Sequence, residues 1–115
     1  LSEEVAKVCE EKEILYLPGV VTPTEIMQAL SLGLTRLKFF PAGSFGGLDT
    51  IKALSAAFPQ VKFMPTGGVN LANMNEYLAF PKIFACGGSW MMQGSREGIA
   101  EQTRAAVLAA KGEEK

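Results

Sequence analysis

A parallel α/β fold made of repeated strand–helix units is what this sequence predicts, and three observations point to it. Apolar extended runs alternate with amphipathic helical stretches along the whole chain. The strand starts fall near residues 14, 36, 62 and 82. Each strand then leads into a glycine-bearing turn: Pro18-Gly19, Gly46-Gly47 a few residues on, Gly67-Gly68 and Gly87-Gly88. Regular alternation implies parallel strands joined by helical crossovers. In a parallel sheet such turns gather at the C-terminal edge, where the sites of α/β proteins sit.

The elements follow in order. Ser2–Lys12 reads as a helix, with Ser2 as N-cap and Val5, Val8 and Cys9 as its apolar stripe. Glu13–Leu17 reads as the first strand. Thr22-Pro23-Thr24-Glu25 is a strong helix start: Thr22 can cap, Pro23 suits the first helical position, and Glu25 can close a capping box. Ile26, Met27, Ala29 and Leu30 give that helix its apolar face, and Gly33 its C-terminal glycine. The second strand is Arg36–Phe40, followed by a loop through Gly47 and a helix from Leu48 to Phe58. The third strand is Val61–Met64, and Asn70 is expected to cap a helix reaching Leu78. Lys82–Cys86 is the fourth strand, Ser95–Ala110 the last helix, and Gly112–Lys115 a frayed, charged tail.

Four such units over residues 1–115 make a single domain. They are either an open four-stranded sheet or half of a (β/α)8 barrel, which typically needs about 250 residues. The net charge of −1 offers no basic patch for nucleic acid. No apolar run approaches the roughly 18 residues of a membrane span, and no signal peptide opens the chain, so the cytoplasm is the expected compartment. Cys9 and Cys86 form neither a disulfide framework nor a metal-ligand spacing. The chain starts at Leu1 and not at a methionine.

Lys38 is the leading candidate for chemistry. It lies mid-strand among apolar neighbours in a chain without histidine. Strand alternation puts Lys38 and Phe40 on one face and Leu37 and Phe39 on the other. An amine directed into an apolar interior loses solvation, which favours the neutral, nucleophilic form. The alternative is a strand lysine whose ammonium snorkels to water. Arg36, Lys62 and Lys82 occupy matching positions at strand beginnings and read as solvated residues, whereas Lys38 aligns with Met64 and Phe84.

Thr66-Gly67-Gly68 and Gly87-Gly88-Ser89 each follow a strand and precede a helix. Their N–H groups could cradle an anion, helped by the helix N-terminus behind, with the Ser89 hydroxyl as a further donor. They could equally be tight βα turns. Trp90, Met91 and Met92 read as core cover or a subunit contact. Asp49, Glu25 and Glu76 sit at helix starts or on helix surfaces, where a carboxylate needs no catalytic role.

Leu37-Lys38-Phe39-Phe40-Pro41-Ala42, Pro65-Thr66-Gly67-Gly68-Val69 and Gly87-Gly88-Ser89-Trp90 together closely resemble the KDPG/KHG aldolase family. Tyr16-Leu17-Pro18-Gly19-Val20 and Thr22-Pro23-Thr24-Glu25 match the family's fifth strand and following helix. The resemblance covers essentially the whole chain and corresponds to the C-terminal half of the family's barrel. It implies a class I aldolase cleaving 2-keto-3-deoxy-6-phosphogluconate to pyruvate and glyceraldehyde 3-phosphate, through a covalent imine on Lys38 and with no cofactor or metal. On the same resemblance Gly67, Gly68, Gly88 and Ser89 bind phosphate, and Phe40 packs beside the substrate. Thr66 matches the family position that influences aldol stereochemistry, and a threonine there resembles the gluconate-type enzymes more than the galactonate-type ones.

One departure matters. The family's proton-shuttling glutamate and its carboxylate-holding arginine come from the first strand and the segment after it, which have no counterpart in this chain. Asp49 is the nearest carboxylate by topology. Loss of general acid–base assistance typically costs about 10²–10⁴ in rate. Full activity is therefore expected only with the missing barrel half. The competing expectation is a non-catalytic, phosphate-binding or self-associating half-barrel. Half a barrel exposes strand edges and an inner face that includes Met64 and Phe84. A homo-oligomer follows: a dimer rebuilding eight strands, or the trimer that the resemblance suggests.

Overall fold

The computed structural model describes residues 1–112, so the predicted frayed tail lies largely outside the described residues. Its elements are α1 (Glu3–Glu11), β1 (Gly19–Val20), α2 (Pro23–Ser31), β2 (Arg36–Phe39), α3 (Gly47–Ala57), β3 (Lys62–Pro65), α4 (Met74–Leu78) and α5 (Arg96–Ala110). Short 3₁₀ turns cover Gly43–Phe45 and Trp90–Met92. The strands form one parallel sheet in the order β1-β2-β3, so an α/β fold with parallel strands is what the chain adopts.

Several local signals act as expected. Ser2 Oγ accepts from Val5 N at the start of α1. Thr22 and Glu25 close a complete capping box on α2, with Pro23 in the first turn. Gly33 takes φ +76° just past that helix, in the left-handed region that glycine enters without a Cβ penalty. Ser95 caps α5 by accepting from Gly98 N.

Other expectations need correction. Residues 13–17 are not a strand: the first ladder is only Gly19–Val20, paired with Lys38 and Phe39. Glu13 takes φ +55° leaving α1, and Ile14 and Leu15 stand exposed with no partner strand beside them. The α1 stripe buries nothing, since Val5 and Val8 are exposed. Likewise Met27 of α2 is exposed. Residues 82–86 contribute one parallel bridge, Phe63 to Ile83, and no regular strand. They still run alongside β3: Phe63 N donates to Lys82 O, Phe84 N to Phe63 O and Gly87 N to Pro65 O. Among the described residues their far edge has no ladder, so nothing straightens them into a strand. Finally, α4 begins at Met74 and not after Asn70. Asn70 instead opens the preceding turn, exchanging side-chain bonds with Asn73: Asn73 N donates to Asn70 Oδ1, and Asn70 N to Asn73 Oδ1.

The core lies on one face of the sheet. Leu37, Phe39 and Phe63 are fully buried there against Ile26 and Ala29 of α2 and Ile51 and Leu54 of α3. Phe39 and Phe63 meet edge to face, their centroids 6.2 Å apart, a favoured aromatic geometry. Met74, Tyr77 and Ala106 extend the cluster toward α4 and α5. The opposite face carries Lys38, Met64 and Phe84, each half-buried. Register there is as read from spacing: Arg36 pairs with Lys62, and Lys38 with Met64. Arg36 rests its guanidinium over the Phe84 ring, 5.4 Å from the centroid, and Lys82 Nζ donates to Pro59 O at 2.6 Å.

Candidate functional site

The turns after β2 and β3 are zipped together beyond the strands. Thr66 N donates to Phe39 O at 3.0 Å, Ala42 N to Thr66 O at 2.8 Å and Gly43 N to Gly67 O at 3.0 Å. Backbone pairing of this kind carries the order of the sheet into loops that would otherwise move. It brings the Gly67-Gly68 turn beside the end of the strand that bears Lys38.

All seven residues singled out in the sequence line one cleft of about 330 Å³: Lys38, Phe40, Thr66, Gly67, Gly68, Gly88 and Ser89, joined by Val69. Lys38 is anchored through its backbone, donating to Pro18 O at 2.9 Å. Its Nζ lies 5.0 Å from the Phe40 ring centroid, a cation–π distance. The expectation of a lysine enclosed in an apolar interior is corrected: the buried face belongs to Leu37 and Phe39, whereas Lys38 is half-buried and Phe40 is 51% exposed. Lys38 therefore combines an aromatic wall with access to solvent.

The glycines are required for two different reasons. Gly67 and Gly68 take φ +92° and +76°, and a Cβ on Gly67 would stand 3.0 Å from Pro41 Cα. Gly88 is needed for space: a Cβ there would run into the Trp90 ring and come within 2.7 Å of Val69 O. Among the described residues, the N–H groups of Gly67, Gly68, Gly88 and Ser89 donate to no backbone or side-chain acceptor. Four free donors on residues that line one cleft make an anion cradle chemically reasonable. The expected contribution of helix N-termini is smaller than the sequence suggested. Only the five-residue α4 and a single 3₁₀ turn follow these glycines, and short helices carry little aligned dipole.

Two further residues shape the cleft. Asn73 donates from Nδ2 to Gly68 O at 2.9 Å, holding the Gly68–Val69 peptide that closes the turn. The signal was the Asn-Leu-Ala-Asn spacing, which puts two turn-forming amides three residues apart. The Thr66 hydroxyl is buried and has no hydrogen-bond partner. Asp49 is not part of the cleft: it lines a separate hollow with Lys52, Asn73 and Glu76. Both cysteines are free thiols, and burial pushes that of Cys86 up, keeping it protonated. No described helix is long and apolar enough to cross a membrane.

Comparison with known proteins gives one consistent result. The family model described as KDPG and KHG aldolase matches residues 1–107. The 2-dehydro-3-deoxy-phosphogluconate aldolase of Haemophilus influenzae is 44% identical over 81% of this chain and 44% of its own length. The KHG/KDPG aldolase of Escherichia coli is 38% identical over 96% of this chain and 55% of its own. Among solved structures, the 2-keto-3-deoxy-6-phosphogluconate aldolase of Zymomonas mobilis with 3-phosphoglycerate superposes with a TM-score of 0.87 at 36% identity, over 99% of this chain and 55% of that one. The KDPG aldolase of Legionella pneumophila, with pyruvate captured as a covalent carbinolamine, superposes with a TM-score of 0.76 at 38% identity, over 96% and 52%. The chain spans about half the length of the curated relatives it matches.

Proposed function

The chain belongs to the KDPG and KHG aldolase family, and we propose that it is the lysine-bearing half of a class I aldolase acting on 2-keto-3-deoxy-6-phosphogluconate. The observation that carries this reading is the shared cleft. Lys38, the one amine-bearing residue among the described lining residues, and Gly67, Gly68, Gly88 and Ser89, whose N–H groups are free, line the same 330 Å³ space. An electrophilic ketone at one end and a phosphate at the other are what such a cleft would hold.

In this reading the Lys38 amine adds to the C2 carbonyl and forms a carbinolamine, which loses water to give an iminium. The C3–C4 bond then breaks. Its electron pair moves into the iminium to form an enamine, and the C4 hydroxyl proton leaves to a base as the aldehyde forms. Protonation of the enamine at C3 and hydrolysis release pyruvate and restore the amine. The phosphate of glyceraldehyde 3-phosphate stays in the glycine turns until release. Phe40 walls the imine, and Thr66 lines the cleft beside it. Covalent pyruvate in the Legionella protein and 3-phosphoglycerate in the Zymomonas protein support the two halves of this reading separately.

Among the described residues no carboxylate lines the cleft, so in this reading the base that takes the C4 proton comes from the other half of the barrel. The open edge along residues 82–88 and the half-buried Met64 and Phe84 are where that half, or a second copy, would pack. Borohydride trapping tests the reading. Wild-type chain incubated with pyruvate and borohydride should gain one reduced adduct, and Lys38→Ala should gain none. An adduct that persists in Lys38→Ala would overturn the assignment. Turnover of the phosphorylated substrate by the 115-residue chain alone would overturn the requirement for a second half.

A further inference from the structure

We propose that Gln102 is a positioning residue for the anion end of the cleft, clamping the turn that carries the Gly88 and Ser89 N–H groups. The inference rests on the phosphate-cradle reading above. With its amide turned to donate, Gln102 Nε2 lies 2.6 Å from Trp90 O and 3.2 Å from Met91 O. These carbonyls belong to the turn immediately after Ser89, which is closed by one backbone bond, Met92 N to Ser89 O at 3.0 Å.

The turn has few other anchors. The Trp90 ring lies against Gly88, close enough to forbid a Cβ there, but its Nε1 is buried without a partner. Packing alone therefore holds the indole. Packing limits how near the ring comes but not how the turn rotates about it, because dispersion is not directional. Hydrogen bonds are directional, and one amide bridging two successive carbonyls fixes that rotation.

Gln102 is well placed to act as the fixed end. Helix α5 runs fifteen residues, is capped by Ser95 and enters the core through Ala106, one turn beyond Gln102 on the same face. Asn75 Nδ2 donates to Ala109 O at 3.0 Å and ties the helix to α4. Lys38, by contrast, stands on β2 and is ordered by Pro18. Loss of the Gln102 clamp should accordingly weaken phosphate binding more than it affects imine formation.

The test titrates inorganic phosphate into the 115-residue chain, followed by the emission of Trp90, its one tryptophan. Gln102→Leu removes the donor. Gln102→Glu keeps size and shape but presents an acceptor to two carbonyls, and serves should the leucine variant fold poorly. Both variants should bind phosphate about 3- to 10-fold more weakly, as loss of one or two hydrogen bonds implies. Both should also shift the ligand-free Trp90 emission, with far-UV helicity and pyruvate trapping at wild-type levels. Phosphate affinity in both variants within twofold of wild type would overturn the positioning role and leave the cradle intact. If wild type itself binds no phosphate, the cradle reading fails. Trp90 emission then decides the clamp, and unchanged emission in both variants overturns it.

Discussion

The Cγ2 methyl of Thr66 stands 2.9 Å from where a Cβ on Gly87 would lie, so the missing side chain at 87 sets how Thr66 can sit. The hydroxyl of the same threonine is buried without a partner. Thr66→Val keeps the shape and deletes a hydroxyl that bonds nothing. It should leave the unfolding free energy unchanged or raise it by up to about 1 kcal/mol. Gly87→Ala should cost about 1–3 kcal/mol by forcing the methyl aside. Urea unfolding of both variants measures this, and a large loss in Thr66→Val would mean that the hydroxyl is satisfied in solution.

Arg36 and Lys62 stand at the beginnings of β2 and β3 with Lys82 beside them, whereas Lys38 stands two residues further along its strand and lines the cleft. Peptide mapping of the borohydride-reduced pyruvate adduct should therefore find it on Lys38 and not on Lys62 or Lys82. Comparable labelling of all three would indicate general lysine reactivity and no built site.

Gly68 and Gly88 should fail differently. At Gly88 the obstacle is a rigid indole and a backbone oxygen, so Gly88→Ala should cost about 1–3 kcal/mol and shift Trp90 emission. At Gly68 the nearest atom would be Gly43 Cα at 3.4 Å, which is tolerable, but φ is +76°. Gly68→Ala should cost about 1–2 kcal/mol through left-handed strain alone, with Trp90 emission unchanged. Chemical denaturation followed in parallel by circular dichroism and fluorescence separates the two.

The Glu25 carboxyl is held below its ordinary range, first by the Val21 N–H at 2.9 Å and also by Thr22, against an opposing effect of burial. A lowered native pKa means stability that is present at neutral pH and lost as pH falls through the native value. Glu25→Gln should thus be less stable than wild type at pH 7, and the gap should close in acid. Thr22→Ala should cost about 1 kcal/mol for the lost cap. A Glu25→Gln gap that widens in acid would contradict a lowered native pKa.

What could be read in advance was whatever depends on a few neighbouring residues. The Thr22–Glu25 box, Gly33, the Ser95 cap and the offset of Lys38 from Lys62 are all local rules of bonding or alternation. What could not be read depends on which element lies alongside. Val5 and Val8 form a helical stripe, but no element covers it among the described residues. Residues 13–17 have strand composition but no ladder partner, and 82–86 are paired on one side only. The same non-locality governs Lys38: alternation gives its face, but only the neighbouring layer decides whether that face is enclosed. The Asn70–Asn73 spacing marks a turn, but that Asn73 and Gln102 reach the carbonyls of Gly68, Trp90 and Met91 depends on which backbone lies alongside, which has no signature in sequence.

The sheet is electrically lopsided along its strands. Arg36 and Lys62 are paired neighbours with Lys82 beside them, and two of the three cations lean on a π-face or a carbonyl. Gly67 lies five residues beyond Lys62, roughly 16 Å along the chain at strand rise. That is about two screening lengths at physiological ionic strength but well within one at about 0.01 M. In dilute buffer the cationic rim therefore adds its long-range pull to the glycine donors, and at cellular salt it does not. Anion affinity should fall with added salt more steeply than four neutral N–H groups would produce, and Lys62→Gln should flatten that slope from a residue that never touches the ligand.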